Sequence, residues 1–428
     1  MIRPMRRFVL PLTAAAILAA ASRPPDIMFR VRMIDPGASE TTAIADINKD
    51  GLPDIVSGDS WYEAPTWKKH PIREINFTSN YVDNFSDLIV DVDGDGYPDV
   101  VQFSYFAEDI VWLKNPGKNV ASPSVKEWAK TEFDTGGRTE FALLVDLNND
   151  GKALELLPEF DRATVPLAWF ELKDHKWVKH IVSPQSYGHG IGAGDINGDG
   201  RNDILTPKGW FEAPPDPANG EWKFHATDWE TPTGAPSAAA GTPPVRTQFG
   251  FMYALDLNGD GRMDVLTTNA HDYGIYWFEQ MPAEPGKEPQ WIRHTIDSTW
   301  SQSHSSALVD LNGDGQPDLV TGKRYMAHNG TDPGEREPLG LYWYEYRKVP
   351  PAGRGANANG GVEWIRHIVD YGGRMGAGLQ VRVVDIDGDG DLDIVAGGKS
   401  GLFIAENLTK SPKTAAANPS PRKPAPKN

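Results

Sequence analysis

The chain has 428 residues, 59 acidic and 42 basic side chains, and a formal net charge of −17. This acidic balance argues against nucleic acid or an anionic membrane as the main partner, because both require a basic protein surface. There is no cysteine, which excludes disulfides, thiolate metal sites and cysteine nucleophiles. The length allows two or three domains, or one large repeat architecture.

The first 21 residues are predicted to be a secretory signal peptide. Three arginines among the first seven residues precede an apolar stretch from Phe8 to Ala21. Ala19 and Ala21 fit the small-residue rule for cleavage before Ser22. The apolar stretch is short for a membrane span, and an uncleaved anchor is the alternative. We therefore expect an exported protein, periplasmic or extracellular, whose mature chain has no membrane span.

One nine-residue pattern recurs seven times in the rest of the chain. Its form is Asp-x-[Asn/Asp]-x-Asp-Gly-x-x-Asp, followed by two apolar residues, and we call each copy an acidic loop. Oxygen ligands at positions 1, 3, 5 and 9 suit one hard cation such as Ca²⁺, and the glycine permits the sharp turn. The expected ligands, in chain order, are Asp46, Asn48, Asp50 and Asp54; Asp91, Asp93, Asp95 and Asp99; Asp146, Asn148 and Asp150; Asp195, Asn197, Asp199 and Asp203; Asp256, Asn258, Asp260 and Asp264; Asp310, Asn312, Asp314 and Asp318; and Asp385, Asp387, Asp389 and Asp393.

The third acidic loop departs from the pattern. Leu154 stands where the last aspartate is expected, and Glu155, one residue later, is the candidate replacement. None of the loops carries the glutamate that closes an EF-hand at position 12. We expect about six structural Ca²⁺ sites, with the third loop doubtful. Solvated turns without metal are the alternative.

Predicted strands flank every acidic loop. An apolar strand precedes the loop, and a second strand, an aromatic third strand such as Trp61 to Glu63, and a fourth strand such as Trp67 to His70 follow it. Four strands in each of seven repeats predict an all-β fold, a seven-bladed β-propeller over residues 22–408. We interpret the periodic tryptophans and histidines as packing residues; stacking on a sugar or cofactor is the alternative.

The two ends of the chain bear on ring closure. The last repeat lacks a fourth strand, and residues 28–35 resemble the fourth strand at Trp364 to Asp370. We therefore predict that this N-terminal strand completes the last blade and covers its open sheet edge. Residues 409–428 are rich in proline, alanine and lysine and are predicted to be a disordered tail.

The seven loops with their flanking strands resemble the FG-GAP/VCBS repeats of integrin-α-type calcium-binding β-propellers. The resemblance covers about residues 28–407. It implies Ca²⁺ in the loop between strands one and two of each blade, and ligand binding on the opposite face. The departures are Leu154 and long insertions at 214–245, 324–339 and 349–361.

Two positions in each repeat are predicted to place side chains on the face opposite the acidic loops, and we call them register positions. They lie six residues before and thirteen residues after the first aspartate of each loop. The candidates for an acid–base pair or a second metal at this central pocket are Glu40, Glu140, His189, Lys208, His304 and Lys323. Loop residues that also join the rim are His271, Asp272, Arg324 and Lys399. A polar channel lining is the alternative.

Two functions remain open from the sequence. The first is a secreted calcium-binding propeller that binds a protein or carbohydrate ligand. The second is a carbohydrate-active enzyme of the lyase or dehydratase type, because the aromatic strands resemble the propeller domain of aldos-2-ulose dehydratase. In that enzyme reading, His189 or His304 takes a proton beside a carbonyl, and Lys208 or Lys323 stabilises the anion. No serine-nucleophile, P-loop or dinucleotide motif is present.

Overall fold

The structure is a computed structural model that describes residues 26–229, 248–349 and 361–410. The predicted signal peptide and nearly all of the predicted tail lie outside these ranges. The described residues form 30 β-strands and one short 3₁₀ helix at Gly117–Asn119. In these ranges, no helix has the length and apolar character needed to cross a membrane.

The strands follow the acidic loops, and a repeat is defined here as one loop with its flanking strands. The first repeat has β2 (Ala43–Ala45), β3 (Asp54–Ser57), β4 (Ser60–Glu63) and β5 (Lys68–Pro71), followed by a ribbon of β6 (Phe77–Thr78) and β7 (Tyr81–Val82). The second and third repeats have β8 (Ser86–Val90), β9 (Asp99–Phe103), β10 (Ile110–Lys114), β11 (Ala129–Asp134), β12 (Thr139–Val145), β13 (Glu155–Phe160), β14 (Leu167–Lys173) and β15 (Lys176–Ser183).

The remaining repeats follow the same order. The fourth and fifth have β16 (Ile191–Gly194), β17 (Asp203–Thr206), β18 (Gly209–Glu212), β19 (Lys223–Ala226), β20 (Phe249–Leu255), β21 (Asp264–Asn269), β22 (Tyr273–Gln280) and β23 (Trp291–Ser301). The sixth and seventh have β24 (Ser306–Val309), β25 (Asp318–Gly322), β26 (Gly340–Lys348), β27 (Val362–Tyr371), β28 (Val381–Val384), β29 (Asp393–Gly398) and β30 (Gly401–Asn407), and β1 (Phe29–Asp35) lies at the N-terminus.

The described strands form an all-β, propeller-like arrangement with five separate four-stranded blades. The prediction of seven separate blades is wrong in this respect, because the fourth and fifth repeats share one eight-stranded sheet. Their first strands, β16 and β20, pair in parallel. The pairing depends on glycine: a Cβ on Gly192 would lie 1.9 Å from the carbonyl oxygen of Met252. The small residues of β16 thus let the two strands approach within hydrogen-bonding distance.

The N-terminal strand belongs to the sheet of the last repeat. β1 pairs antiparallel with β30, in a register from Phe29 opposite Asn407 to Asp35 opposite Leu402. This strand therefore stands fourth in the order β28-β29-β30-β1. Phe29 and Met33 pack against the apolar cluster that joins the sixth and seventh repeats.

Buried apolar clusters lie between neighbouring repeats rather than within one sheet. One cluster combines Trp61 of the first repeat with Trp128 of the second, and another combines Trp343 of the sixth with Phe403 of the seventh. The second strand of each repeat, such as β9, is buried along its whole length. The centre of such a strand is apolar, as Val100 and Val101 show in β9, because neighbouring blades cover both of its faces.

The periodic tryptophans and histidines form a repeated contact between the third and fourth strands. In five repeats the histidine ring stacks on the tryptophan ring with centroids 4.0–4.4 Å apart, and its Nε2 lies 2.8–3.2 Å from a glutamate oxygen. These contacts agree with a structural role. The five sets are Trp61, His70 and Glu63; Trp169, His180 and Glu171; Trp210, His225 and Glu212; Trp277, His294 and Glu279; and Trp343, His367 and Glu345.

Deletion of residues 22–36 removes β1 and exposes the edge of β30. We expect the variant to misfold, or to melt at least roughly 10 °C lower, because it loses a paired strand and its apolar packing. Circular dichroism during heating measures the effect, with a chain truncated after Lys410 as the control. A soluble deletion variant with the melting curve of the full chain would contradict the role given to β1.

Candidate functional site

The acidic loops are held by their own side-chain oxygens. In all seven loops the glycine at position 6 has φ between +83° and +93°, and its N–H donates to the first aspartate at 2.8–3.0 Å. In the first loop, Asp50 N–H donates both to Asp46 at 2.9 Å and to Asn48 at 3.0 Å. Glycine is required here because this backbone conformation strains other residues. The turn therefore gathers oxygens from positions 1, 3 and 5.

The carboxylate at position 9 ties each loop to its sheet. Asp54 accepts one hydrogen bond from Ile47 N–H at 2.9 Å and another from Ala64 N–H at 2.8 Å. Five further loops repeat both bonds, through Asp99, Asp203, Asp264, Asp318 and Asp393. In the second and seventh loops, carboxylates at positions 1, 3 and 9 lie within 4.8 Å of one another. These sets have the oxygen donors that a hard cation prefers.

In the third loop, Glu155 takes the place of the missing aspartate. Leu147 N–H donates to Glu155 at 3.0 Å. In every other loop the equivalent N–H donates to the aspartate at position 9. Leu154, which stands at position 9 here, is 39% exposed. Glu155 is the first residue of β13 and lies opposite Val145, the register that Asp54 takes opposite Ala45 in the first repeat, so the third loop accommodates one extra residue before the strand. Its other oxygen accepts from the Asn148 amide at 3.0 Å. Glu155 therefore replaces the missing aspartate as the acceptor of this hydrogen bond.

Burial disfavours charge on the position-9 carboxylates. Burial, with a contribution from Asp314, raises the pKa of Asp318 to about 7. The same causes raise the pKa of Glu155 to about 7, where Asp146 and Asp150 are the neighbouring charges. A cation in the loop would offset both effects by stabilising the ionised form.

A second site brings together Glu140, His189, His271 and His304, which we call the inner histidine cluster. Glu140 lies at the start of β12, His189 before β16, His271 after β21 and His304 before β24. These strand ends lie opposite the acidic loops, because each loop joins the end of a first strand to the start of a second. One ligand-type atom from each side chain lies within 4.8 Å of the other three, and all four residues are buried.

The contacts inside the cluster are short. His189 Nε2 lies 2.8 Å from His271 Nε2 and 3.3 Å from a Glu140 oxygen. The His304 ring centroid is 4.6 Å from that of His271 and 5.8 Å from that of His189. Three imidazoles and one carboxylate, contributed by four successive repeats, thus face one another.

Arg324 joins this cluster to the first repeat. Its guanidinium donates to Glu40 at 3.1 and 3.3 Å and to Glu140 at 3.2 Å, and the residue is 1% exposed. The Phe85 ring covers the guanidinium at 5.3 Å. The planar donor fork of arginine suits two carboxylates at once.

The charges of the cluster differ from one histidine to the next. Burial alone would lower the pKa of His189, but the Glu140 and Glu159 carboxylates outweigh it and raise the pKa to about 9. Burial and the nearby His189 charge lower the pKa of His271 to about 4. Burial, with the Arg324 charge, also places the pKa of His304 well below its usual value. At neutral pH the cluster therefore has one charged and two neutral imidazoles.

The structure brings together some of the sequence candidates and separates others. Glu140, His189 and His304 meet, and Glu40 joins them through Arg324. Lys323 is buried, but its Nζ donates to Ser301 at 3.0 Å and to the Gly334 carbonyl at 2.6 Å. The side chain of Lys208 is exposed at the turn between β17 and β18, whereas the cluster is buried. The structure therefore gives no support to a histidine–lysine pairing for catalysis.

Sequence reasoning placed His271 only at the rim and missed Asp332 and His328. His271 lies two residues past the register position occupied by Asn269, so an end-of-strand search with a wider window would have found it. Asp332 lies 2.9 Å from His271 Nδ1 and 2.8 Å from His328 Nδ1. Both residues belong to an insertion without periodicity, and no sequence signal marks them.

A model of the FG-GAP-like repeat matches residues 91–155 and 256–321. Each match begins at the first aspartate of one acidic loop and continues through the next loop. No curated protein matches the chain. The matched repeat is therefore the one identified from the spacing of the acidic loops.

Solved structures with a similar chain path include two crystal structures of BBS1N in complex with ARL6DN. The mercury-soaked one is 11% identical with a TM-score of 0.48, and the lead-soaked one is 12% identical with a TM-score of 0.47; each covers 91% of this chain and 98% of that chain. The Vibrio cholerae (V. cholerae) biofilm matrix protein Bap1 is 11% identical, with a TM-score of 0.36, covering 89% of this chain and 84% of that chain. At these TM-scores the similarities carry no argument about function.

Substitution of Arg324 by methionine tests the buried ion pairs. We expect Arg324→Met to lower the free energy of unfolding by about 3–5 kcal/mol, because Glu40 and Glu140 remain buried without their partner. Arg162→Met is the matched control, since Arg162 is 44% exposed beside Glu108 and should cost less than about 1 kcal/mol. Urea denaturation measures both variants. Equal losses of unfolding free energy in the two variants would show that the buried ion pairs stabilise the fold no more than the exposed one.

Proposed function

We propose that this FG-GAP repeat protein is an exported, calcium-stabilised propeller that acts as a binding module for a protein or glycan ligand. The repeat family and the propeller-like fold support an interaction role. The observation that carries the proposal is an aromatic cavity on the face away from the acidic loops. Export rests on the N-terminal sequence alone.

We further propose that the seven repeats form one closed ring of seven blades. The eight-stranded sheet supports this count, because it contains two complete four-stranded repeats joined only by β16 and β20. Closure is supported by a buried cluster in which Ile55 and Tyr62 of the first repeat pack with Val395 and Ile404 of the last. The Gly397 N–H also donates to Thr42 Oγ1 at 2.7 Å.

Calcium in the acidic loops is supported by their common geometry. Each loop gathers carboxylate oxygens around a glycine turn, joined by an asparagine amide oxygen in five of the seven, and carboxylates this close together repel one another without a cation. In the second loop, Lys114 contacts Asp93 and Asp95 and partly offsets their charge. Binding only to the folded loop would add its free energy to the stability of the fold.

The proposed ligand site is a cavity of about 570 Å³ between the fifth and sixth repeats. Trp300 and Tyr342 form its aromatic walls, and Arg366 and Glu337 supply charged and hydrogen-bonding groups. Ile368 and Tyr371 at its rim are 59% and 58% exposed. Apolar and aromatic walls with a few polar groups are typical of ligand cavities.

A carbohydrate-active enzyme is the second candidate, and the inner histidine cluster is the observation that favours it. His189, charged at neutral pH, lies beside Glu140 and resembles a general acid with a carboxylate partner. However, all four cluster residues are at most 6% exposed, so a sugar cannot reach them in this conformation. The binding function therefore has the stronger support.

Removal of Ca²⁺ should destabilise the protein. A Ca²⁺ chelator is expected to lower the melting temperature by roughly 10 °C or more, and added Ca²⁺ should restore it, because the loop carboxylates lose their counterion. Metal analysis of the refilled protein should find about six Ca²⁺ per chain. Asp314→Ala should remove one of them, whereas Glu74→Ala, an exposed carboxylate outside the loops, should remove none. Identical melting curves with and without chelator would eliminate calcium from the proposal.

The ligand cavity can be tested with two isoleucines at the same repeat position. Ile368 and Ile181 both follow the histidine of a fourth strand, and they are 59% and 53% exposed, but only Ile368 lines the cavity. For a ligand found by glycan-array or extracellular-protein screening, Ile368→Arg should weaken binding at least about 10-fold, because the charged side chain blocks the apolar rim. Ile181→Arg should leave binding unchanged. Equal affinities of the two variants would place the ligand elsewhere.

A further inference from the structure

We propose that Glu140, His189, His271 and His304 bind one divalent transition-metal ion, with Zn²⁺ as the expected occupant. This site is separate from the acidic loops and from the ligand cavity. One ligand comes from each of the third, fourth, fifth and sixth repeats. The ion would therefore join four neighbouring repeats on the face away from the acidic loops.

The three histidines are oriented by contacts at Nδ1. His189 Nδ1 lies 2.7 Å from the Phe249 carbonyl oxygen, and His271 Nδ1 lies 2.9 Å from Asp332. His304 Nδ1 lies 3.4 Å from the Gln302 carbonyl oxygen. A carbonyl oxygen and an ionised carboxylate only accept, so each Nδ1 carries a hydrogen and donates it. This is the arrangement that prepares Nε2 as a metal ligand.

Hydrogens alone do not satisfy the three Nε2 atoms of the cluster. With hydrogens on Nδ1, the Nε2 atoms of neutral His189 and His271 would present two lone pairs to each other across 2.8 Å. A single proton could bridge this pair. It would still leave His304 Nε2, which is buried with no hydrogen-bond partner among the described residues. One metal ion would satisfy all three nitrogens, whereas one proton satisfies two of them.

The donor set selects the kind of metal. Three imidazole nitrogens and one carboxylate oxygen suit Zn²⁺ and related transition metals, whereas Ca²⁺ prefers oxygen ligands alone. All four residues are buried, so the protein itself supplies four ligands with no position open to solvent. A closed set of this kind is typical of a structural metal site. Glu140 and the neighbouring Glu40 supply negative charge beside the ion, while Arg324 fixes the position of both carboxylates.

A neighbouring group offers an alternative location for the ion. His271, His328 and Asp332 also lie within 4.8 Å of one another, and the His328 ring stacks on that of His271 at 4.3 Å. This outer group uses Nδ1 of His271, whereas the inner cluster uses Nε2. The buried Nε2 of His304 belongs to the inner cluster alone, and it favours the inner location.

The test is a titration of chelator-stripped protein with Co²⁺ and Zn²⁺ while Ca²⁺ is kept saturating. We expect one tight equivalent of either ion and a visible Co²⁺ absorption of four-coordinate intensity. His304→Asn should weaken Co²⁺ affinity at least about 100-fold. Asparagine can still donate to the Gln302 carbonyl but has no nitrogen in the place of Nε2, and circular dichroism verifies that this variant folds. His328→Ala is the control and should retain the equivalent and its spectrum.

Three results would overturn the inference. They are no bound transition metal in the folded wild-type chain, unchanged affinity in His304→Asn, and loss of the ion in His328→Ala but not in His304→Asn. The last result would assign the metal to the outer group. Because Ca²⁺ is saturating throughout, none of these outcomes depends on whether the acidic loops bind calcium.

Discussion

The hydrogen bonds of the buried position-9 carboxylate are the constraint on which the repeat architecture depends. Asp54 accepts an N–H from its own loop with one oxygen and an N–H from the end of the third strand with the other. A buried N–H without an acceptor is costly, so the carboxylate stabilises both segments at once. Six loops have both hydrogen bonds, and in the third loop Glu155 accepts the one from the loop's own N–H. The loop and its sheet are consequently one unit.

The aromatic contacts extend this unit to the outer strand. The glutamate that holds the stacked histidine also reaches back to the acidic loop: Asn258 Nδ2 lies 3.1 Å from Glu279, whose other oxygen lies 2.8 Å from His294. The same chain of contacts links Asn48, Glu63 and His70 in the first repeat. Periodic histidines are therefore engaged in holding strands together. Of the five histidines outside this pattern, three form the inner histidine cluster: His189, His271 and His304.

Some residues of the inner histidine cluster are placed by the repeat, and others are placed by irregular loops. Glu140, His189 and His304 are predictable from the sequence because each lies six residues before an acidic loop, and first strands of similar length bring that position to the same edge. His271 arrives from the end of a second strand, and Asp332 from an insertion that folds back over it. The positions of these two residues depend on the path that a loop takes, and the repeat spacing of the sequence does not specify that path. Arg324 illustrates the same limit, since its partners Glu40 and Glu140 are 284 and 184 residues away.

The sequence by itself determined the all-β repeat, the acidic loops and the strand order within each repeat. These features depend on contacts between residues a few positions apart, such as the Gly51 turn around Asp46, and local spacing encodes them completely. Only the tertiary structure decided that Gly192 lets two repeats merge into one sheet, that the third loop takes up one extra residue so that Glu155 enters the register of the missing aspartate, and that four repeats direct one buried side chain each to a common point. Those outcomes depend on distances between repeats and on the register of paired strands, which the spacing of residues along the chain does not specify.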